Sequence, residues 1–203
     1  MKPRVILYNA VSVDGRTTGF SVDMGLFYSL VQQWGEDATL AGCDTLLNAP
    51  HEMPEDEGSE AAAITPSADD SRPILVVPDS RGRIKSWHYW RGQPYWKGFV
   101  SLCTEKTSPE HLDYLRQNDI RILAAGTEHV DYKQALEELS RQFGIGTVRV
   151  DSGGTLNGVL LRAGLVDEVH LLVHPALVGE TSQKTFFRDT IAGQTGEISL
   201  RFM

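Results

Sequence analysis

The sequence predicts an α/β protein, a three-layer αβα sandwich around a mostly parallel, mixed sheet. Three observations carry this expectation. β-rich runs alternate with helix-patterned segments from end to end. Several of the runs are continuously apolar, as strands covered on both faces are. Turn residues punctuate the chain wherever the pattern changes. With 203 residues and about 150 per domain, residues 1–203 are expected to form a single domain.

The elements follow in order. Arg4 to Val11 (RVILYNAV) is a strand at the start of the chain. From Asp23 to Trp34, Met24, Phe27, Tyr28 and Val31 recur at helical spacing, with Ser21 or Asp23 as N-cap. Ala38 to Gly42 reads as a short buried strand, and Ile74 to Val77, stopped by Pro78, as a fully covered one. Phe99 to Cys103, Arg121 to Ala124 and Thr147 to Val150 are further strands. A helix opens at Ser108-Pro109 and ends near Gln117-Asn118; a second runs from Asp131 to Phe143, closed by Gly144; a third from Leu156 to Ala163, stopped by Gly164. Glu168 to His174 and Ile198 to Met203 complete the set as strands.

Two segments break the rhythm. His51 to Asp70 is rich in Glu, Asp, Ala, Ser and Pro without periodicity, and reads as a mobile acidic surface insertion. Trp87 to Phe99 gathers Trp87, Tyr89, Trp90, Tyr95 and Trp96 among Arg91 and Lys97. Such interleaving can stack nucleobases, but the chain is acidic, and an exposed lid or subunit contact is the expectation.

Composition narrows the function. The chain is 41% hydrophobic and 23% charged with a net charge of −8, a soluble globular profile without the basic field that nucleic acids or anionic membranes attract. It has no apolar run of transmembrane length and no signal-peptide hydrophobic region after Met1-Lys2-Pro3-Arg4, so a cytoplasmic protein is expected. Cys43 and Cys103 lack metal-ligand spacing and suit two buried thiols in a reducing compartment. His170 and His174 fall within a strand rather than on a helix face, so no metal site is expected. Serine-hydrolase and P-loop motifs do not occur.

The candidate chemistry sits in four turns that follow strands. Asp151-Ser152-Gly153-Gly154-Thr155-Leu156 opens a helix, where paired glycines let a ligand approach and first-turn amides face a phosphate; a bare strand-to-helix turn is the other reading. Gly42-Cys43-Asp44-Thr45 offers a second such turn, with the Thr45 hydroxyl either a ligand contact or a local cap. Asp79-Ser80-Arg81-Gly82-Arg83, with Lys85 nearby, is a basic reversal in an acidic chain, suited to a 2′-phosphate or to a solvated face. Asn9 to Arg16 places Ser12 and Asp14 on one face, although Asp14-Gly15 equally reads as turn chemistry.

These residues carry a resemblance. N-A-V-S-V-D-G-R, the G-C-D-T turn, V-V-P-D-S-R and the stretch V-D-S-G-G-T-L-N-G-V-L-L-R-A-G-L-V-D-E-V-H-L-L-V-H-P-A-L-V-G together resemble the pyrimidine reductases of riboflavin biosynthesis, in order over almost the whole chain. The resemblance implies a dihydrofolate-reductase-like fold and an NADPH-dependent reduction at C1′ of a phosphoribosylamino pyrimidine, opening the ribose to a ribityl chain. It implies that Gly42, Thr45, Gly153, Gly154, Thr155 and Leu156 contact the cofactor, that Ser80 and Arg81 hold the 2′-phosphate, and that Ala10 lies beside the nicotinamide. Asn9, Ser12 and Asp14 would face the substrate, and Asp14 first or Asp151 second would supply the proton, unless hydrogen bonds from backbone amides make the carboxylate a structural cap instead. A homodimer is implied, with Glu168 to His174 as an interface element.

The chain departs from the family pattern at three points. Tyr8 stands where bacterial members commonly have Lys, Asn48-Ala49-Pro50 replaces an Asp-x-Pro segment, and Asp151 stands where Glu is usual. Two rival readings follow: reduction of a pterin such as dihydrofolate, with Arg16 or Arg162 binding a substrate carboxylate, or a non-catalytic NADP(H)-binding protein.

Overall fold

The computed structural model describes residues 1–48, 70–189 and 196–201. Among the described residues thirteen strands and α-helices alternate, all seven strands and four of the six helices where predicted, with α2 and α3 not foreseen: β1 (Arg4–Ser12), α1 (Met24–Val31), β2 (Ala38–Ala41), α2 (Cys43–Leu47), β3 (Ile74–Pro78), α3 (Trp87–Arg91), β4 (Gly98–Cys103), α4 (Pro109–Gln117), β5 (Arg121–Ala124), α5 (Tyr132–Phe143), β6 (Thr147–Asp151), α6 (Gly154–Arg162) and β7 (Glu168–His174). The caps are the predicted ones. Asp23, Ser108 and Asp131 each accept a first-turn amide with the side chain, and Gly144 closes α5 in the left-handed region at φ 68°.

The seven strands form one sheet in the order β5-β4-β3-β2-β6-β1-β7. Every strand pair is parallel, so all carboxyl ends meet along one edge. Among the described residues the sheet is therefore not mixed; the only antiparallel contact is an isolated bridge between Arg16 and Thr185. The expected last strand is not formed over 198–201, and Phe202 and Met203 lie outside the described residues. The acidic stretch His51 to Asp70 lies outside them too, except for Asp70, which forks onto Arg72.

Helices cover both faces. On one, α5 and α6 bury Leu136, Leu139, Leu156 and Leu160 against Val5, Leu40, Val76, Val148 and Val150. On the other, α2, α3 and α4 bury Leu46, Trp87, Trp90 and Leu115 against Leu75, Val77 and Phe99. The aromatic segment is thus mostly core and not an exposed cluster. Trp87 and Trp90 anchor a helix that the composition did not reveal, and Tyr95 alone among the five projects well into solvent. Beside this layer, α1 packs Phe27 on Tyr8, ring centroids 4.4 Å apart and nearly parallel, with Trp34 meeting Tyr8 edge-on at 4.9 Å.

The segment 185–188 closes over α6. The amide of Arg188 donates to the Gly154 carbonyl at 2.9 Å, and a Cβ at Gly158 would overlap the Arg188 carbonyl oxygen. Gly158→Ala is expected to destabilise the fold by about 1–3 kcal/mol through overpacking, lowering Tm by roughly 2–4 °C per kcal/mol in a chain of this size. Thermal denaturation followed by circular dichroism measures it; an unchanged Tm would show that 185–188 does not dock tightly on α6.

Candidate functional site

β6 lies between β1 and β2, so the chain reverses its direction of travel across the sheet at this point. Such a switch point opens a crevice at the carboxyl edge of a parallel sheet. β2 and β6 end level with one another, Ala41 opposite Asp151. β1 is in register with β6 only as far as Leu7 opposite Val150, and runs on to Ser12. The result is a step, with β1 and its half-buried Ala10 as the wall and the exits of β2 and β6 as the floor.

The predicted cofactor turns line this floor. Gly153 caps α6 with an extended backbone and no side-chain hydrogen bond, and a Cβ there would meet nothing within 4 Å. The amide end of a nine-residue helix therefore faces open space, which fits a pyrophosphate. At Gly154 a Cβ would lie 2.3 Å from the Thr185 carbonyl oxygen and 3.1 Å from the Arg188 amide nitrogen, so its lack of a side chain admits the chain's own backbone. Gly42 caps α2, and a Cβ on it would lie 2.5 Å from Ser152 Oγ. Glycine here lets the turn after β2 close on the turn after β6, with the Ser152 and Thr45 hydroxyls both next to Gly42. Thr155 and Leu156 occupy the first turn of α6, Leu156 with its side chain in the core.

The basic turn after β3 is tied to the same floor. Arg83 pairs with Asp44 of α2 at 2.6 Å. Buried Asp79 accepts the amides of Arg83 and Ile84 at 2.8 and 2.9 Å. Gly82, at φ 65°, leaves room for the His111 ring, whose atoms a Cβ would approach to 2.8 Å. Burial pulls the His111 imidazole down against the opposing charge of Asp79, so it packs under the turn as a neutral ring. With Arg83 and Asp79 occupied, Ser80 and exposed Arg81 project from a fixed turn, and Arg81 has no ion-pair partner among the described residues. Cys43 contacts Asp79 at 3.8 Å, and its thiol is pushed up to about 12 by burial and then by Asp79, which leaves it protonated and unreactive.

The expected substrate residues are occupied internally. Asn9 points to the α6 face, donates to the Ser152 carbonyl at 2.8 Å and accepts from Asn157 at 2.8 Å. Asn157 also donates to the Phe186 carbonyl at 2.7 Å. Ser12 donates to Asp14 at 2.6 Å and accepts the Arg16 amide. Asp14 further accepts the amides of Val178 and Gly179 at 3.1 and 2.7 Å. Ser12 first, then these two amides, hold the Asp14 carboxyl far below its usual range. Asp14 thus ties the turn after β1 to the turn after β7, and the three hydrogen bonds it accepts favour its ionised form.

Asp151 is placed differently. It ends β6 on the face opposite α5 and α6, shared with Tyr8, and pairs with Arg149 at 2.9 Å. Arg149 is buried on the same strand face and is clamped by Glu36 through both Nε and Nη2. Glu36 also accepts from Thr39 at 3.0 Å, and Thr39 lies 3.4 Å from the Trp96 indole nitrogen. Burial pulls the Arg149 guanidinium down, and Asp151 and Glu36 together more than reverse this, so the cation is locked. Burial raises Glu36 and Arg149 opposes it. Where the resemblance expects Lys, Tyr8 is buried and donates to the Phe27 carbonyl at 3.2 Å; the cation on this sheet face comes from the next strand, as Arg149. Nothing in the TVRVD run marked it as a site residue. Ala49 and Pro50 lie outside the described residues.

Arg162, one of two arginines considered for a substrate carboxylate, sits at the far end of α6 paired with Asp189 at 2.5 Å. Arg16, the other, is close to the Asp14 carboxylate at 3.8 Å. His170 bonds Glu168 at 2.9 Å, and His174 accepts the Asp23 amide at 3.0 Å.

Asp14→Asn is expected to lower Tm at pH 7. A depressed carboxylate contributes stability above its unfolded value and loses it as pH falls through the folded one, so the Tm gap to the wild type should close below about pH 4, the ordinary carboxylate range. Thermal melts from pH 7 to pH 2 measure this, and a gap that is constant with pH would show that the carboxylate's charge is irrelevant.

Comparison with known proteins agrees with this geometry. The family described as the RibD C-terminal domain matches residues 3–202. The chain is 30% identical over 193 residues to the 2,5-diamino-6-ribosylamino-4(3H)-pyrimidinone 5′-phosphate reductase of Methanothermobacter thermautotrophicus, covering 91% of this chain and 83% of that protein. It is 23% identical over 192 residues to the protein of the same name from Aquifex aeolicus, covering 88% and 79%. Among solved structures, Acinetobacter baumannii RibD shares the fold, with a TM-score of 0.62 at 22% identity, covering 94% of this chain and 50% of that one. The chain thus spans most of the first two relatives and about half of the RibD structure. It belongs to the RibD C-terminal domain family, whose named members are pyrimidine reductases of riboflavin biosynthesis.

Proposed function

We propose that the chain is one reductase unit that uses NADPH to reduce a ribosylamino-pyrimidinone 5′-phosphate, the substrate class in the names of its two full-length relatives. The observation that carries this is the open amide end of α6 at Gly153, set at the sheet's switch point, with the turn after β3 that carries Arg81, free of an ion-pair partner among the described residues, tied to the same floor. In this reading the Gly153–Leu156 turn takes the pyrophosphate, with Gly42 and Thr45 flanking it. Ser80 and Arg81 take the 2′-phosphate, and Ala10 borders the nicotinamide on the step. Asp151 lies where the reacting carbon would come to rest.

The cofactor supplies a hydride when bound. In the substrate, a C1′–H bond forms as the C1′–O4′ bond breaks, and O4′ leaves as the 4′-hydroxyl with a proton taken from solvent. The protein's part is positioning and charge. As the ring bond weakens, C1′ and its nitrogen share positive charge, and a fixed carboxylate nearby favours that distribution. The pterin reading loses Arg162, which is already paired with Asp189. The second copy implied for the assembly would meet β7, an edge strand among the described residues whose Leu171 and Val173 are exposed; light scattering measures the mass. Two unpaired cysteines suit a reducing cytoplasm, and no helix among the described residues is long and apolar enough to cross a membrane.

Titration calorimetry with NADPH and NADH tests the cofactor reading. The wild type should prefer NADPH, and Arg81→Ala should weaken NADPH by about 10- to 100-fold, the loss of one charge-assisted contact of roughly 1.5–3 kcal/mol, while NADH changes little. Equal loss for both cofactors would overturn the 2′-phosphate assignment. Spectrophotometric turnover of the ribosylamino-pyrimidinone phosphate tests the substrate, and NADPH binding without turnover would favour the non-catalytic rival.

A further inference from the structure

The charged cluster beneath the step has one more member than its burial requires. Arg149 and Glu36 have side chains only 5% and 8% exposed, and the two-pronged clamp between them already neutralises both charges. A third charge, Asp151, is drawn onto the same guanidinium through Nη1 at 2.9 Å, with its own side chain 31% exposed at the lip of the crevice. The cluster therefore carries a net charge of −1, and its surplus charge sits on the one member that reaches solvent. A cluster serving stability alone gains little from that surplus, since buried ion pairs seldom outdo apolar packing. Arg149 bonds Asp151 at Oδ2, and no described residue donates to Oδ1.

We propose that Arg149 is a positioning residue for the reduction: clamped by Glu36 in the floor of the sheet, it fixes the Asp151 carboxylate at the exit of β6 as a negative charge that faces the reacting end of the substrate. This rests on the placement of Asp151 at that end. The surroundings agree with a fixed charge. The Tyr8 phenol is raised by burial first, with Arg149 and Asp151 acting on it in opposite directions. The Tyr28 phenol of α1 is raised by partial burial and next by Asp151. Thr39 holds the second Glu36 oxygen from β2, so the clamp is built from three elements: the loop before β2, β2 itself and β6. Removing Arg149 leaves Asp151 at the same backbone position without the bond that fixes its rotamer.

The test is a set of three variants. Arg149→Met combined with Glu36→Gln removes both buried charges together, which avoids stranding either one; Asp151→Asn removes the charge at the lip; the triple variant joins them. The double variant should lose about 10²-fold in kcat, the scale of a small misplacement, with KM and the calorimetric Kd for NADPH within about threefold of wild type. The triple variant should be no slower than Asp151→Asn, because residues acting as a unit are not additive. Additive losses, or a double variant at the wild-type rate while Asp151→Asn is slow, would overturn the positioning role alone. Asp151→Asn at the wild-type rate would overturn the placement of Asp151 and the proposal with it. A crystal structure of the double variant gives a readout without turnover: the Asp151 side chain should leave its wild-type rotamer, and an unchanged rotamer would overturn the proposal whatever the substrate proves to be.

Discussion

The insertion of β6 between β1 and β2 is the constraint from which the rest of the structure follows. The strand is hydrogen-bonded on both sides, Val148 opposite Val5 and Ala38 alike. Because every strand is parallel, its exit is forced to the same edge as all the others, and because β6 comes late in the chain, that exit lies between turns formed some 110 to 140 residues earlier. The local devices around it then have a single job each. Gly42 gives up its side chain so that the turn after β2 can touch Ser152. Asn9 and Asn157 bridge β1 to α6 across the Ser152 carbonyl, which fixes the angle at which the helix leaves the sheet. Segment 185–188 presses on α6 from outside through two glycines. The helix end is therefore held from three directions, and the one left open is that of Gly153.

A buried arginine in the middle of a sheet face is costly, and its neighbours show how the cost is contained. Glu36 comes from the loop just before β2, so its carboxylate reaches Arg149 over the top of Thr39 rather than through the apolar layer. The face is divided accordingly: Trp87, Trp90 and Leu115 cover β3 and β4, Phe27 and Trp34 cover Tyr8, and the charged cluster lies in the seam between these two aromatic groups. Removing Arg149 alone would leave Glu36 buried without its counter-charge, a loss of about 3–5 kcal/mol. The seam is thus rigid where it is charged, and it opens upward at Asp151.

Much of this fold was legible in the residues. Asp23, Ser108 and Asp131 signalled helix starts because an N-cap acts within three residues of itself. The strands were legible because burial on both faces demands continuous apolar runs. What escaped depended on distant partners. Trp87 and Trp90 lie among bases and tyrosines, and no local pattern separates a buried aromatic from an exposed one. Gly154 reads as a ligand glycine until Thr185 and Arg188 are brought to it. Arg149 sits in an ordinary β run, and only the approach of Glu36, 113 positions away, turns it into a clamp. The turns that bracket the crevice were found, because position after a strand is a local property; the direction in which Asn9 points was not, because it is set by Asn157 at the other end of the chain.

The two aspartates make the same point in chemical terms. Asp14 follows β1 and Asp151 ends β6, both stand next to the small residues of a turn, and composition cannot rank them. What ranks them is the direction of their donors. Asp14 receives a hydroxyl and two amides that lie in the turns around it, and with both oxygens engaged it has little left to offer a substrate. Asp151 receives its donor from Arg149 of the same strand at Oδ2, and no described residue donates to its other oxygen. A carboxylate held from behind is oriented without being consumed. That difference, invisible in two identical side chains, is what the proposed roles rest on: one carboxylate holds loops together, and the other would meet charge as it develops at the carbon being reduced.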